Sequence, residues 1–178
     1  MNRKLLDLCY IAMGAALMAV CAWITIPFGF VPFTMQTFAV FAVAAVFGWK
    51  RGMLSLLVYV ALGALGAPVF AGFRSGPGVL LGFTGGYIVG FFFTALLVGG
   101  AAERFHGKTL PLAVGIFLGM VAYYAFGSIW YLVVYTHKTG AIGLASILLQ
   151  CVVPYLLPDA AKGALAVLVA KRLRKVVK

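Results

Sequence analysis

Two ionisable side chains of opposite sign, Asp159 and Lys162, lie three residues apart in an otherwise apolar stretch of this 178-residue chain. On a helix, residues at this spacing face the same side, so a carboxylate acceptor and an ammonium donor are presented together. One interpretation is a ligand site in which Asp159 accepts hydrogen bonds and Lys162 donates them. The other is an internal salt bridge, with Asp159 favoured at a helix N-terminus behind Pro158.

Other residues that could do chemistry are few. The chain has three acids and two histidines, which disfavours paired-carboxylate catalysis and a metal site. Its three cysteines are scattered through apolar segments and are typical of small buried hydrophobes. A phosphate-binding loop ending at Lys108 and Thr109 would need a glycine where the chain has Ala102. We therefore predict no catalytic residue, no metal, no cofactor and no nucleotide site.

The elements that position these residues are membrane helices. Apolar residues make up 65% of the chain and charged residues 10%, and the mean hydropathy is +1.12. Continuous apolar runs approach the roughly 20 residues that cross a bilayer as a helix, and they do not alternate as barrel strands do. The sequence predicts an all-α integral membrane protein, one domain over residues 1–178, with six transmembrane helices. The predicted spans cover 8–28, 32–48, 53–70, 79–102, 110–135 and 157–175.

A shorter apolar stretch precedes the last predicted span. It covers about residues 141–153 and is followed by Pro154 and Pro158. Because proline interrupts the helical hydrogen-bond pattern, a continuous helix from 141 to 170 is disfavoured. We predict a short re-entrant or interfacial helix over 141–153.

The basic residues predict the orientation. Six crossings would place both termini and eleven cations on one side: Arg3, Lys4, Lys50, Arg51, Arg104, Lys108, Lys171, Arg172, Arg174, Lys175 and Lys178. The opposite side would hold only Arg74 and Lys138. By the positive-inside rule, the protein is expected to be a multi-pass cell-membrane protein with cytoplasmic N- and C-termini. The net charge of +11 then indicates contact with anionic membrane lipid and no nucleic-acid partner.

Three segments resemble the BioY family: PFTMQTFAVFAVAAVFG (32–48), PVFAGFRSGPGVLLGFTGGY (68–87) and the PxxxxDxxK pattern from Pro154 to Lys162. The family's usual pattern differs at Phe83 and at Leu157-Pro158. The resemblance implies a biotin-specific substrate-binding subunit, or S component, of an energy-coupling factor (ECF) transporter. It implies biotin as the transported ligand, and as partners a transmembrane coupling subunit and two ATPase subunits. Three alternatives stay open: an S component for another small vitamin, a lipid-modifying transferase using Asp159 as a base, and a structural scaffold.

Biotin offers a partner for each charge, because its ureido ring carries two N–H donors and a carbonyl, and its tail ends in a carboxylate. Asp159 can accept and Lys162 can donate. Four further residues are candidates for the same cavity: Gln36, Arg74, Thr84 and Tyr87. Their alternatives are structural, since Gln36 could bond a neighbouring helix, Arg74 could be a solvated loop charge and Tyr87 could belong to an interfacial aromatic belt.

Small residues mark the first predicted span. Ala12, Ala15, Ala16 and Ala19, with Gly14 between them, form two overlapping small-xxx-small patterns that we assign to one helical face. By the resemblance, Ala12 and Ala16 are expected to dock on the coupling subunit. Packing against another span of the same chain is the alternative.

Overall fold

The fold is described by a computed structural model over residues 3–27 and 31–177, with side chains through Lys175. Its elements are α1 (Arg3–Trp23), β1 (Thr25–Ile26), β2 (Phe33–Thr34), α2 (Gln36–Ala64), a 3₁₀ turn (Ala71–Phe73), α3 (Pro77–Leu80), α4 (Gly85–Arg104), α5 (Thr109–Lys138), α6 (Leu144–Cys151) and α7 (Val153–Val177). Within the described ranges, five helices are long and apolar enough to cross a membrane: α1, α2, α4, α5 and α7. The predicted all-α, multi-pass membrane fold is confirmed.

The long helix α2 is a hairpin that turns at Gly48. This residue has φ +86° and ψ 177°, a conformation that suits glycine and breaks the helix. Gln36 Nε2 donates to the Tyr59 hydroxyl at 3.0 Å, and an ideal Cβ on Gly52 would lie 3.1 Å from the Ala44 Cα. Both pairs are nearly symmetric about Gly48, so the two halves run antiparallel, side by side.

The hairpin corresponds to the predicted spans 32–48 and 53–70, but its helical halves are shorter. They cover 36–47 and 49–64, or about 18 and 24 Å at 1.5 Å per residue, against about 30 Å of hydrocarbon. The six-span count therefore stays a prediction. The predicted span 79–102 is also corrected, because α4 begins at Gly85 and a separate short helix, α3, covers 77–80.

Two other boundaries differ at the outer helices. The span predicted over 8–28 is α1, which ends at Trp23, and Phe28 lies outside the described residues. The span predicted over 110–135 is α5, which extends to Lys138. The predicted interfacial helix over 141–153 is the shorter α6.

The break before the last helix lies at Val152, one residue before α7 begins, and the prediction that α7 starts near 157 is wrong. Pro154 falls in the first turn of α7, where its missing N–H would have no partner within the helix. Pro158 lies inside α7. Counting from Val153, Asp159 is the seventh residue of α7, so the expectation that it stands at a helix N-terminus is also wrong.

Polar contacts gather four chain segments at one end of the bundle, which we call the basic end. Arg51 pairs with Asp7 at 2.5 Å and ties the Gly48 turn to the start of α1. Glu103, near the end of α4, accepts a hydrogen bond from the Trp49 backbone N–H at 3.2 Å. Arg174, near the end of α7, donates to the Ala102 carbonyl. The basic end thus collects cations that the sequence assigned to one side, except that Lys178 lies outside the described residues.

The small residues of α1 divide between two faces, which corrects their assignment to one. Three of them are buried: Gly14, Ala15 and Ala19. Gly14 is needed for close packing on α2, because an ideal Cβ there would lie 2.3 Å from the Ser55 Oγ. Ala12 and Ala16 are exposed. Ala15 and Ala19 therefore pack within the chain, and Ala12 and Ala16 remain available to lipid or to a partner.

Candidate functional site

Asp159 and Lys162 form a buried ion pair on α7. Their Oδ1 and Nζ atoms are 2.7 Å apart, and the residues are 3% and 6% exposed. Because α7 begins at Val153, both residues lie on regular helical turns, and the i, i+3 spacing brings them together. The internal salt bridge considered from the sequence is therefore present in this structure.

The Asp159 carboxylate accepts hydrogen bonds from three helices. Its Oδ1 accepts from the Thr37 hydroxyl of α2 at 3.0 Å and from Lys162 at 2.7 Å. Its Oδ2 accepts from the Tyr124 hydroxyl of α5 at 2.7 Å and also from the Tyr123 hydroxyl. A carboxylate has about four acceptor positions, so all of them are occupied.

The Lys162 ammonium is equally saturated. It donates to the Thr34 carbonyl at 2.6 Å, to the Thr37 Oγ1 at 3.1 Å and to Asp159, which uses its three protons. It also lies 3.9 Å from the centroid of the Phe33 ring, a cation–π contact. A ligand that binds either charge must therefore replace a hydrogen bond that the protein already makes.

Two adjoining cavities form the site, and the first of them has this pair in its wall. The first has a volume of about 360 Å³, part of it open to solvent, and is lined by Asp159, Lys162 and Tyr87 among others. The second, of about 450 Å³, is lined by Gln36, Arg74, Thr84 and the same Tyr87. The two cavities share four lining residues: Val31, Pro32, Thr34 and Tyr87. Both volumes include space open to solvent, and the enclosed space is much smaller, about 50 Å³ in the first cavity and about 60 Å³ in the second.

All six residues singled out from the sequence as ligand contacts thus line one pair of adjoining cavities. Gln36 is buried and bonded to Tyr59 of its own hairpin, as its structural alternative supposed. Arg74 is exposed, and its Nε donates to the Ala71 carbonyl at 3.1 Å. Thr84 is half-buried, and the buried Tyr87 has its hydroxyl 3.5 Å from the Ser128 Oγ. Their roles in ligand binding stay predictions.

Sequence reasoning missed five polar residues that line the first cavity: Thr34, Thr37, Tyr123, Tyr124 and Tyr155. The two threonines flank Gln36 in the segment PFTMQT, so their position beside a predicted ligand contact could have identified them as cavity residues. The two adjacent tyrosines lie in the middle of α5, far from the membrane interface where tyrosine is usually found. A phenol at that depth needs a polar partner, which here is Asp159.

The side chains that line the cavities can form hydrogen bonds with a ligand, and none of them is placed for covalent chemistry. Burial raises the pKa of the Cys151 thiol beside the first cavity above its ordinary value, so the thiol stays neutral and is a poor nucleophile. Within the ranges that the structure describes, no cluster of three or more histidine, cysteine or acidic side chains could hold a metal ion. The site is suited to recognising a small, uncharged or singly charged ligand with both donors and acceptors.

Comparisons with known proteins agree with this description. The model of the BioY family matches residues 1–178. A biotin transporter BioY of Thermotoga maritima is 43% identical over 163 residues, covering 90% of each chain. A probable biotin transporter BioY of Pyrococcus horikoshii is 36% identical over 171 residues, covering 96% of this chain and 98% of that one. A crystal structure of the S-component for biotin from an ECF-type ABC transporter superposes with a TM-score of 0.86 at 27% identity, covering 98% of this chain and 93% of the other.

Proposed function

The chain belongs to the BioY family, and we propose that it is the S component that captures biotin for an ECF transporter. The observation that carries this proposal is the buried Asp159–Lys162 pair, placed in the wall of a polar cavity that is partly open to solvent. Charges within a membrane helix cost about 2.5 to 3.5 kcal/mol each on insertion scales. Polar partners within the protein offset this cost, and a polar ligand can take over part of that role.

Biotin fits the chemistry of the two cavities. Its ureido N–H groups can donate to Asp159 in place of tyrosine hydroxyls, and its carbonyl or carboxylate can accept from Lys162. The exposed Arg74 gives the second cavity a cation for a ligand carboxylate. Tyr87 lies between the two cavities and supplies an apolar wall for the ring and alkyl tail of the vitamin.

The competing functions have weaker support. A transferase that used Asp159 as a base would need a free acceptor, whereas this carboxylate has four donors around it. The relatives are named as biotin transporters, which disfavours an enzyme, a scaffold and an S component for another vitamin. The protein is therefore best described as a transporter subunit.

We further propose that uptake is driven by a transmembrane coupling subunit with two ATPase subunits, and that Ala12 and Ala16 form the docking face. Both alanines are exposed on α1, one turn apart. Small residues at this spacing allow another helix to approach closely in lipid. The buried Ala15 and Ala19 cannot serve this purpose, because they already pack within the chain.

A bulky residue on this face separates binding from coupling. Purified wild-type protein is expected to bind biotin in isothermal titration and, with its partners, to support ATP-dependent uptake. Ala16→Trp should keep biotin affinity within about twofold, because α1 lines neither cavity, and should reduce uptake and co-purification of the coupling subunit by tenfold or more. Ala61→Trp, on an exposed part of α2, is the control and should change neither.

The outcomes are distinguishable. Absence of biotin binding by folded wild-type protein would refute the proposed function. Normal uptake by Ala16→Trp would refute only the docking face and leave the biotin site intact.

Contacts at the basic end join the start of α1, the Gly48 turn and the end of α7, and both termini are proposed to be cytoplasmic because the end richer in lysine and arginine faces the cytoplasm. Cysteine substitutions on a protein with its three native cysteines replaced provide a test. A cysteine at Lys138 is expected to react with a membrane-impermeant maleimide from outside intact cells, and a cysteine at Arg51 only after lysis. The reverse pattern would overturn the orientation.

A further inference from the structure

An apolar groove lies between α4 and α5 at the basic end, separate from the cavities around Asp159. Its volume is about 820 Å³, including space open to the surroundings. Its walls include Leu97 and Ala101 of α4 and Val114 and Leu118 of α5. Among the described residues that line it, Arg104 has the one polar side chain. No residue of this groove belongs to the biotin cavities.

The groove is open because glycine replaces a side chain on its α4 wall. An ideal Cβ on Gly100 would meet nothing within 4 Å. At Gly115 the opposite holds, since an ideal Cβ there would lie 2.8 Å from the Ala101 Cβ. The helices are therefore in close contact at Gly115 and leave a furrow beside Gly100.

The length of the groove matches part of an acyl chain in one leaflet. From Leu97 to Arg104 the α4 wall rises over seven residues, about 10 Å. One leaflet of hydrocarbon is about 15 Å deep. The furrow thus begins at the level of the basic end and reaches about two-thirds of the way towards the middle of the bilayer.

Arg104 stands at the end of this furrow with its guanidinium available. It is exposed and makes no hydrogen bond or ion pair within the described part of the chain. The neighbouring Glu103 accepts a hydrogen bond from the Trp49 backbone N–H, and within the described residues it forms no ion pair with Arg104. A guanidinium binds phosphate oxygens in a bidentate manner, which complements an apolar furrow ending at a lipid headgroup.

We propose that this groove binds an anionic phospholipid, with one acyl chain beside Gly100 and the phosphate held by Arg104. Any apolar surface in a bilayer is covered by lipid, but an open furrow that ends in a cation gives one acyl chain a defined position and selects the charge of its headgroup. A zwitterionic phospholipid carries the same phosphate, but its own cation opposes the arginine, so a net negative headgroup charge beside Arg104 is expected to favour binding about fivefold.

Native mass spectrometry of the full chain, delipidated in detergent, tests the proposal with phosphatidylglycerol and phosphatidylcholine of identical acyl chains. Wild-type protein is expected to retain one phosphatidylglycerol with about fivefold preference over phosphatidylcholine. Arg104→Gln should abolish the preference, and Lys50→Gln, which removes an exposed cation at the same end, should retain it. Gly100→Leu should reduce retention of both lipids, because its side chain fills the furrow.

Ala113→Leu is the control for Gly100→Leu, since Ala113 is exposed on α5 and does not line the groove. It should leave lipid retention unchanged. Equal retention of the two lipids by wild-type protein would overturn the proposal, as would normal retention by Gly100→Leu. If Gly100→Leu keeps its lipid but no longer co-purifies with the coupling subunit, the groove is a helix-docking surface and the lipid proposal fails. None of these measurements depends on biotin binding.

Discussion

We expect Asp159→Asn to weaken biotin binding by roughly thirtyfold to several thousandfold, a loss of about 2 to 5 kcal/mol. The Asp159 carboxylate stands between two pairs of donors: Thr37 with Lys162, and Tyr123 with Tyr124. An asparagine amide in either orientation would turn its NH₂ group towards one of these pairs. The substitution also leaves the Lys162 ammonium buried without a counter-charge, and it presents a donor where the ureido N–H groups need an acceptor.

Isothermal titration of the purified variant measures this loss, with the active fraction determined separately because the variant is expected to be less stable. Asp7→Asn is the matched control, since Asp7 pairs with Arg51 at the partly exposed basic end. The same chemical change there should leave biotin affinity within about twofold, as expected for a solvent-screened pair far from the site. Wild-type affinity in folded Asp159→Asn would mean that Asp159 only stabilises the helix bundle.

The sequence predicts the pair itself because its two members are local. A spacing of three residues brings side chains together wherever a helix forms, so Asp159 and Lys162 could be paired before any tertiary structure was known. Their other partners, Thr37, Tyr123 and Tyr124, come from α2 and α5. Only the packing of three helices brings them together, and neither spacing nor composition encodes that packing.

The Gly48 hairpin shows the same limit for the fold. Lys50 and Arg51 predict a loop between two spans, yet both residues lie in the second half of α2, and the turn is confined to Gly48. A one-residue turn is possible because Gly48 adopts φ +86° and because Glu103 of α4 accepts the hydrogen bond of the Trp49 N–H. The first cause is local, since the sequence shows a glycine shortly before Lys50 and Arg51. The second depends on a residue more than fifty positions away.

The faces of α1 could not be separated by spacing alone. Residues three and four apart on a helix both lie on roughly the same side, so Ala12, Ala15, Ala16 and Ala19 look like one surface in sequence. Burial separates them, because Ala15 and Ala19 are packed within the chain whereas Ala12 and Ala16 are exposed. The distinction matters for function, since only the exposed pair can contact another subunit.

Lys162→Met tests which end of biotin the ammonium binds. Asp159 and Lys162 are in direct contact, at 2.7 Å, so the ligand groups that they bind must be close together. In biotin the ureido N–H groups adjoin the ureido carbonyl, whereas the carboxylate lies at the far end of the alkyl tail. If Asp159 accepts from the ureido N–H groups, Lys162 is expected to donate to the ureido carbonyl. Methionine keeps the apolar stem beside Phe33 and removes only the charged donor.

We therefore expect Lys162→Met to lose at least thirtyfold in affinity for biotin and to lose as much for biotin amide, in which the carboxylate is neutralised.

Arg74→Gln is the matched variant, because Arg74 is the cation of the second cavity. It should weaken binding of biotin by about fivefold to tenfold and leave binding of the amide nearly unchanged, since an exposed arginine contributes less than a buried lysine. Titration of both variants with both ligands decides whether Lys162 binds the ureido carbonyl or the carboxylate. If the defect of Lys162→Met disappears with the amide, Lys162 holds the carboxylate and the tail must fold back towards α7. If both variants bind both ligands normally, the ion pair is purely structural and the contacts that fix biotin lie elsewhere in the two cavities.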